Sequence, residues 1–287
     1  MTTDSHTVMS VLRAAEGWLA QRGVDAPKRS AELLLGKVLG LDRLKLYLQH
    51  DRPMGEPERA AMRALLARRG RHEPVAHLLG SWSFRGFEIE VSPAVLIPRP
   101  ETEELVDLAL ARLAPGARVV DLGTGSGAIA VALASERDGA TVVATDVSRN
   151  ALAVAARNVA RHDLGERVAL RHGSWWDACA DDAPFDLLVS NPPYVDPDRP
   201  ELLEATVRDF EPPLALFTAP GDPGSCYREI AAGIAAHLRP GAAVVLETGV
   251  GASDAALAVL RATPELDDVA LLADLAGQPR FVVARRI

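Results

Sequence analysis

The sequence predicts an α/β protein: a small N-terminal helical bundle followed by a doubly wound, mostly parallel seven-stranded sheet. Two observations carry this. Between residue 8 and about 79, apolar residues recur at helical spacing, beginning with Val8, Val11, Leu12, Ala15, Trp18 and Leu19. From Glu101 onward short apolar runs alternate with helical stretches, the pattern of a parallel sheet covered by helices. At 287 residues the chain has room for about two domains and for a sizeable core.

In the bundle, residues 1–79, Pro27 and Pro57 stand where helices would begin and Gly23, Gly40 and Gly70 where they would stop. Residues 80–98 read as a connector. Trp82, Phe84, Phe87, Ile89 and Val91 nearly alternate on either side of Arg85-Gly86, which suggests a β-hairpin leading into the loop Leu96-Ile97-Pro98-Arg99-Pro100. Residues 99–287 form the sheet domain, with strands expected at 118–122, 141–146, 167–171, 185–190, 242–247, 268–272 and 280–285. Ligands of such sheets bind beyond the carboxyl ends of the strands, where the strand order reverses. The Ala/Pro/Gly-rich piece 212–224 is expected to be a loop over that edge.

A hydrophobic content of 48% with 24% charged residues is that of a globular chain. No apolar run approaches the roughly 20 residues of a membrane span, and the N-terminal pattern, interrupted by Arg13 and Glu16, is not a signal peptide. The expectation is a cytoplasmic monomer. Cys179 and Cys226 lack metal-ligand or redox spacing, so they are expected to be reduced thiols, and no metal is expected. A net charge of −8 argues against a broad nucleic-acid surface, which needs a dense basic face. The basic cluster of Arg63, Arg68, Arg69 and Arg71 sits where a helix ends and cations complement its dipole.

The stretch VSNPPYVD, residues 189–196, closes the apolar run Phe185 to Val189 in an unusual way. Asn191 precedes a proline and is held extended. Pro192 and Pro193 have no N–H, so the ladder stops and nearby carbonyls are left without donors. The side-chain oxygen of Asn191 and the carbonyl of Pro192 can together accept both hydrogens of a planar –NH₂ group, with Tyr194 as a flat wall. Such an arrangement holds an amide or amino nitrogen.

The second informative stretch, VVDLGTGSGAIAVALA, runs from a buried strand through a glycine-rich turn into a helix. Gly123, Gly125 and Gly127 let backbone approach a ligand at the helix N-terminus. The next strand ends in Asp146, where a carboxylate can accept hydrogen bonds from a ribose diol. Two ligands fit this geometry. The glycine spacing, with Ala128 in its last place, formally permits a dinucleotide such as NAD. S-adenosyl-L-methionine needs no pyrophosphate cradle, and Asp121 at the strand end can help hold its cationic amino-acid end.

DLGTGSGAIA, TDVSRNALAVAARN and VSNPPYV, with VLIPRPETEELV before them and EPPLAL after, resemble the peptide chain release factor N5-glutamine methyltransferases of the HemK/PrmC type. The resemblance covers nearly the whole chain. NPPY also occurs in adenine and cytosine amino-methyltransferases; together with IPRPETE it is far more specific. The resemblance implies a Rossmann-like class I S-adenosylmethionine-dependent methyltransferase domain that modifies the glutamine of a release factor's Gly-Gly-Gln motif. It implies that Gly123, Thr124, Gly125, Ser126 and Gly127 line the methionine side of the cofactor, with Asp121 near by. Asp146 would hold the ribose, Trp176 would lie against the adenine, and Asn191 would border cofactor and substrate alike. Asn191, Pro192, Pro193 and Tyr194 would receive the glutamine, and Asn191, Pro192 and Tyr194 would serve catalysis. An acid is common in the family where this chain has Trp175, so the choice between Trp175 and Trp176 for the adenine stays open.

Two segments depart from the family pattern, FTAPGDPGSCYREI and LETGVGASD. Both lie outside the cofactor and amide motifs, so they are expected to affect loop conformation more than reaction type. IPRPETE reads as a helix start, with Pro100 in the first turn and Glu101, Glu103 and Glu104 at the positive end of the dipole, and is assigned no catalysis. Alternatives are N5-glutamine methylation of a ribosomal protein, amino-methylation of a nucleic acid, an NAD-dependent dehydrogenase in which NPPY has no role, and a cofactor-sensing binding module.

Overall fold

The computed structural model describes residues 6–199, 201 and 203–287. The chain forms two compact units, one running to Ser81 and taking in Ala205–Phe210, the other comprising 82–204 and 211–287.

The first unit is helical: α1 (Val8–Ala20), α2 (Pro27–Leu39), α3 (Arg43–Leu48), α4 (Glu56–Arg69) and α5 (Val75–Leu79). Thr7 and Asp42 cap α1 and α3 by accepting the N–H of Ser10 and Lys45, and Gly40 ends α2 in the left-handed region at φ 64°. Leu12, Leu19, Leu34, Leu35, Leu46 and Met62 interlock as its core. Much of the basic cluster at the end of α4 is paired within the unit: Arg68 with Glu73, and the buried Arg69 with Asp25 and Ser30.

The second unit opens within the hairpin β1 (Ser81–Phe84) and β2 (Phe87–Glu90). Residues 82–98, expected as a connector, fall inside it. Then follow α6 (Pro100–Leu110), β3 (Arg118–Leu122), α7 (Ala128–Glu136), β4 (Thr141–Asp146), α8 (Arg149–Arg161), β5 (Val168–His172) and β6 (Phe185–Ser190). Beyond α9 (Ala205–Phe210), which belongs to the first unit, come α10 (Pro213–Leu216), α11 (Ser225–Ala232), α12 (Ile234–His237), β7 (Leu238–Glu247), α13 (Ser253–Arg261), β8 (Leu266–Ala273) and β9 (Pro279–Arg286). The expected loop at 212–224 therefore contains one short helix, α10.

The hairpin rests on the sheet domain through specific bonds. Arg85 pairs with Glu136 and Asp107, while the Asn158 side chain accepts from Glu90 N at 2.7 Å and donates to Glu90 O and Ser126 O. The sheet has the order β5-β4-β3-β6-β7-β9-β8. Its first five strands are parallel, and β9 is antiparallel to both neighbours. The parallel strands read as continuous apolar runs because helices cover both faces. Val120, Leu122, Leu188, Val244 and Leu246 pack against Tyr227, Ile230 and Leu260.

A cleft at the carboxyl ends of the central strands

In β3 the run Val119, Val120, Asp121, Leu122 is completely buried, a setting in which a carboxylate is costly. Thr124 Oγ1 donates to Asp121 Oδ2 at 2.6 Å, but Asp121 Oδ1 has no hydrogen-bond partner. Burial pushes the Asp121 carboxyl up to about 7, against the Thr124 bond, and the charge of Asp146 adds to the rise. An orphaned buried carboxylate oxygen is suited to a cation delivered by a ligand. Thr145 Oγ1, at the end of β4, is also buried without a partner.

The turn after β3 is held by Gly123 N and Thr124 N, which both donate to Thr145 O at 3.0 and 2.8 Å. Gly123 and Gly125 have φ of 76° and 55°, a region open to glycine at no steric cost. Gly125 N donates to Asp146 Oδ2 at 2.9 Å and Ser148 N to Asp146 Oδ1 at 2.8 Å. Each Asp146 oxygen keeps a further lone pair for a ligand hydroxyl. Burial raises the Asp146 carboxyl above the ordinary range in spite of these bonds.

Gly123, Gly125, Thr145, Asp146 and Trp175 line a cleft of about 340 Å³, and Pro193 of the NPPY turn lines it too. The glycine turn and Pro193 of the NPPY turn therefore share one cavity, whereas Asp121, Asn191, Pro192 and Tyr194 are not among its lining residues. Thr124, Ser126 and Gly127 stand behind its wall. Thr124 and Ser126 are buried, and Gly127 has φ 79°, a strained conformation for any other residue, with a Cβ there coming within a tight 3.1 Å of Ala155 in α8.

The expectation for Trp176 is corrected. Its indole is buried, donates to Ile230 O at 2.7 Å and stacks on His237 with centroids 4.7 Å apart. The backbone of Gly233 lies so close that a Cβ there would meet the ring at 2.2 Å. Trp176 is thus a core residue, and Trp175 is the tryptophan at the cleft, its Nε1 donating to Glu229. Trp175 has φ 41°, rare for a bulky residue.

Around the NPPY turn, Pro192 is buried while Asn191, Pro193 and Tyr194 are half-buried. Asn191 Nδ2 donates to Thr102 Oγ1 at 3.3 Å, which leaves Asn191 Oδ1 available as an acceptor. Gly249 lies flat against the Tyr194 ring, where a Cβ would sit 2.4 Å from a ring carbon. Burial pushes the Tyr194 phenol up to about 12. Both thiols are pushed up to about 11 by burial, so neither is a nucleophile near neutral pH.

Several participants escape a reading of the sequence. Thr102, within IPRPETE, bonds to Asn191, and Arg99 of the same motif pairs with the buried Glu211 of EPPLAL at 2.5 Å. Ile97 N also donates to Glu211, which secures the loop whose Val95 and Leu96 line the cleft. The two atypical segments, expected to lie apart from the motifs, adjoin them. Phe217 lines the cleft, Thr218 N donates to Val195 O, and Glu247 and Gly249 stand beside Thr102 and Tyr194. One signal pointed to Glu247: like Asp121 and Asp146, it is an acid closing an apolar strand.

The strand order and the glycine-lined cleft at the carboxyl ends define a Rossmann-like methyltransferase domain. Two solved structures share this fold. A 16S rRNA N2 G1207 methyltransferase from T. thermophilus matches at TM-score 0.50 and 18% identity, covering 72% of this chain and 50% of that one. A methyltransferase from Pyrococcus furiosus matches at TM-score 0.50 and 18% identity, over 71% and 90%. Family models match as a PrmC N-terminal domain over residues 10–80 and a methyltransferase small domain over 103–209. Release factor glutamine methyltransferases from Geobacter sulfurreducens, Cereibacter sphaeroides and Nitratidesulfovibrio vulgaris are 42%, 43% and 41% identical, covering 90%, 96% and 99% of this chain and 89%, 96% and 97% of their own lengths. The chain belongs to the release factor glutamine methyltransferase family.

Proposed function

We propose that this protein methylates the side-chain amide nitrogen of the glutamine in the Gly-Gly-Gln motif of peptide chain release factors, using S-adenosyl-L-methionine. Family membership supports the reaction class. The observation that carries the site is the shared cavity, in which Pro193 of the amide-holding turn stands across from Gly123, Gly125 and Asp146.

The residues present fit this cofactor, which when bound supplies an electrophilic methyl group on a sulfonium. Asp121, with its orphaned oxygen, would pair with the cationic amino-acid end, and that cation would return its carboxyl toward the ordinary range. The segment Gly123, Thr124, Gly125, Ser126, Gly127 would set the backbone of the methionine side, and Asp146 would accept from the ribose hydroxyls. Trp175, in place of Trp176, would lie against the adenine.

An amide nitrogen is a poor nucleophile because its lone pair is delocalised into the carbonyl. Asn191 Oδ1 and Pro192 O would each accept one of its hydrogens, which orients the nitrogen and raises its electron density. Pro193 stiffens the turn and Tyr194 walls it. With a reactive methyl donor supplied, alignment is the main task, and orientation of this kind contributes about 7 to 11 kcal/mol. The methylated nitrogen would then lose one of its two original N–H protons to solvent, since Asn191 Oδ1 and Pro192 O can accept its hydrogen bonds but are not bases. We assign the bundle of residues 1–79 to docking of the release factor, 80–98 to a connector whose residues 82–98 belong to the second unit, and 99–287 to catalysis, in a cytoplasmic monomer without direct nucleic-acid contact. Among the described residues no helix is long and apolar enough to cross a membrane.

The test is peptide mass spectrometry of an unmodified release factor after incubation with the protein and S-adenosyl-L-methionine. One methyl on the Gly-Gly-Gln glutamine is the expected result. No methyl there, with cofactor binding verified, would overturn the substrate and turn attention to a ribosomal-protein glutamine or a nucleic-acid amino group.

A further inference from the structure

Asn191 can hold a substrate amide only if its oxygen, not its NH₂, points at the substrate. The two ends have nearly the same shape, so packing alone does not choose between them. The choice is made behind the residue. Thr102, buried in the first turn of α6, donates its single hydroxyl proton to Glu247 Oε2 at 2.8 Å. Having given that proton away, Thr102 Oγ1 can only accept. It accepts from Asn191 Nδ2 at 3.3 Å, and Asn191 Oδ1 is thereby turned away from Thr102.

We propose that Thr102 and Glu247 are positioning residues, a relay in which the Glu247 carboxylate fixes the amide orientation of Asn191 and so presents Oδ1 as the acceptor for the substrate glutamine. The inference rests on the reading of Asn191 as that acceptor. Direction is the essential feature. An ionised carboxylate is acceptor-only and polarises the whole chain of bonds one way. A protonated Glu247 can donate to Thr102, whose hydroxyl then donates to Asn191 Oδ1 and draws the oxygen inward.

Glu247 is buried at the carboxyl end of β7, and Tyr227 of α11 donates to its backbone oxygen at 3.0 Å. The groups facing it are Arg280 from β9, Arg99 and Glu101 from the start of α6, and the phenols of Tyr194 and Tyr227. Burial outweighs the Thr102 bond and the two arginines and pushes the Glu247 carboxyl up to about 7. The relay is therefore polarised above neutral pH and loses its direction below it, so kcat at saturating substrates acquires an acid limb. A residue that merely filled space would give no such limb.

The experiment compares single-turnover rates and cofactor affinity of full-length Thr102→Val, Thr102→Ser, Glu247→Gln and Asn191→Ala. Thr102→Val keeps the branched shape and removes the hydroxyl. Glu247→Gln keeps the shape and can donate as readily as it accepts. Each is expected to slow transfer about 10- to 100-fold, the cost of one misdirected hydrogen bond at the reacting group, with cofactor Kd unchanged. Thr102→Ser restores most of the rate, and Glu247→Gln abolishes the acid limb. Wild-type rates in Thr102→Val beside a slow Asn191→Ala would overturn the relay and leave the acceptor reading standing. So would Thr102→Ser as slow as Thr102→Val. A wild-type rate in Asn191→Ala would overturn the acceptor reading, and the relay with it.

Discussion

Replacing Asp121 by asparagine separates what the cleft costs the fold from what it gives the ligand. Asp121 is buried, with one oxygen bonded to Thr124 and the other unpartnered, and its carboxyl moves from 3.8 to about 7. Keeping the group ionised in the fold therefore costs roughly 4 kcal/mol relative to the unfolded chain. The sign follows from proton counting. Between about pH 4 and 7 the folded protein keeps a proton that the unfolded chain has released, so stability is highest below 4 and falls as pH rises to 7. The substituted asparagine carries no charge, and its NH₂ can donate to Thr124 Oγ1. Asp121→Asn should therefore be more stable than the parent at pH 8, by up to about 4 kcal/mol, and indistinguishable near pH 4. Denaturant titrations at several pH values measure this, with Glu247, Asp146 and Glu211, whose carboxyls burial also raises, contributing to the slope that remains. The same variant should bind S-adenosyl-L-methionine about 10- to 100-fold more weakly, the cost of losing one charged hydrogen bond. Stability and affinity moving in opposite directions is the mark of a site that stores strain for its ligand. No gain at pH 8, or an unchanged slope between pH 4 and 7, would refute the reasoning.

Asn191→Ala should lower turnover by about 10² to 10³ fold with cofactor affinity retained, measured by steady-state kinetics beside calorimetry. The two tryptophans should part company. Trp175→Ala is expected to weaken cofactor binding by about 2- to 10-fold with little change in melting temperature, whereas Trp176→Ala should cost about 3 to 5 kcal/mol of stability by opening the core beside Ile230 and His237. Gly249→Ala tests the wall of the amide site. Its Cβ would stand 2.4 Å from the Tyr194 ring, so the ring must move and kcat should fall while cofactor Kd holds.

The central parallel strands were legible because they are buried on both faces and read as largely apolar runs; the expected 118–122, 141–146 and 185–190 are the observed bounds of β3, β4 and β6. β7 begins at Leu238, earlier than the expected 242, because Arg239, Pro240 and Gly241 break the apolar pattern while Leu238 still pairs with Phe185. The polar half of the site was legible only where a motif is local. Asp121, Gly123 and Gly125 lie within one turn, and Asp146 closes the next strand. Thr102 could not be found this way, since its partners are 89 and 145 residues away and its surroundings read as an ordinary helix start. The choice between Trp175 and Trp176 was likewise beyond spacing, because the two are adjacent in the sequence and only the fold shows which one faces the cleft.

Strand order explains why these distant residues meet. The chain leaves β3 for β4 and β5 on one side and returns to β6 and β7 on the other, so the order reverses at β3 and a crevice opens there. Across four neighbouring strands, β4, β3, β6 and β7, the carboxyl ends carry Asp146, Asp121, Asn191 and Glu247 in that sequence. Adjacent strands lie about 4.8 Å apart, so the row spans roughly 14 Å. On the proposed reading, spatial order becomes functional order: ribose, cationic end, substrate amide, and the acid that orients the amide holder. Burial raises all three carboxyls of that row. On that reading the cofactor would supply partners to Asp121 and Asp146. Glu247 already has its partner in Thr102, and the proposed relay directs its charge within the protein, to Asn191.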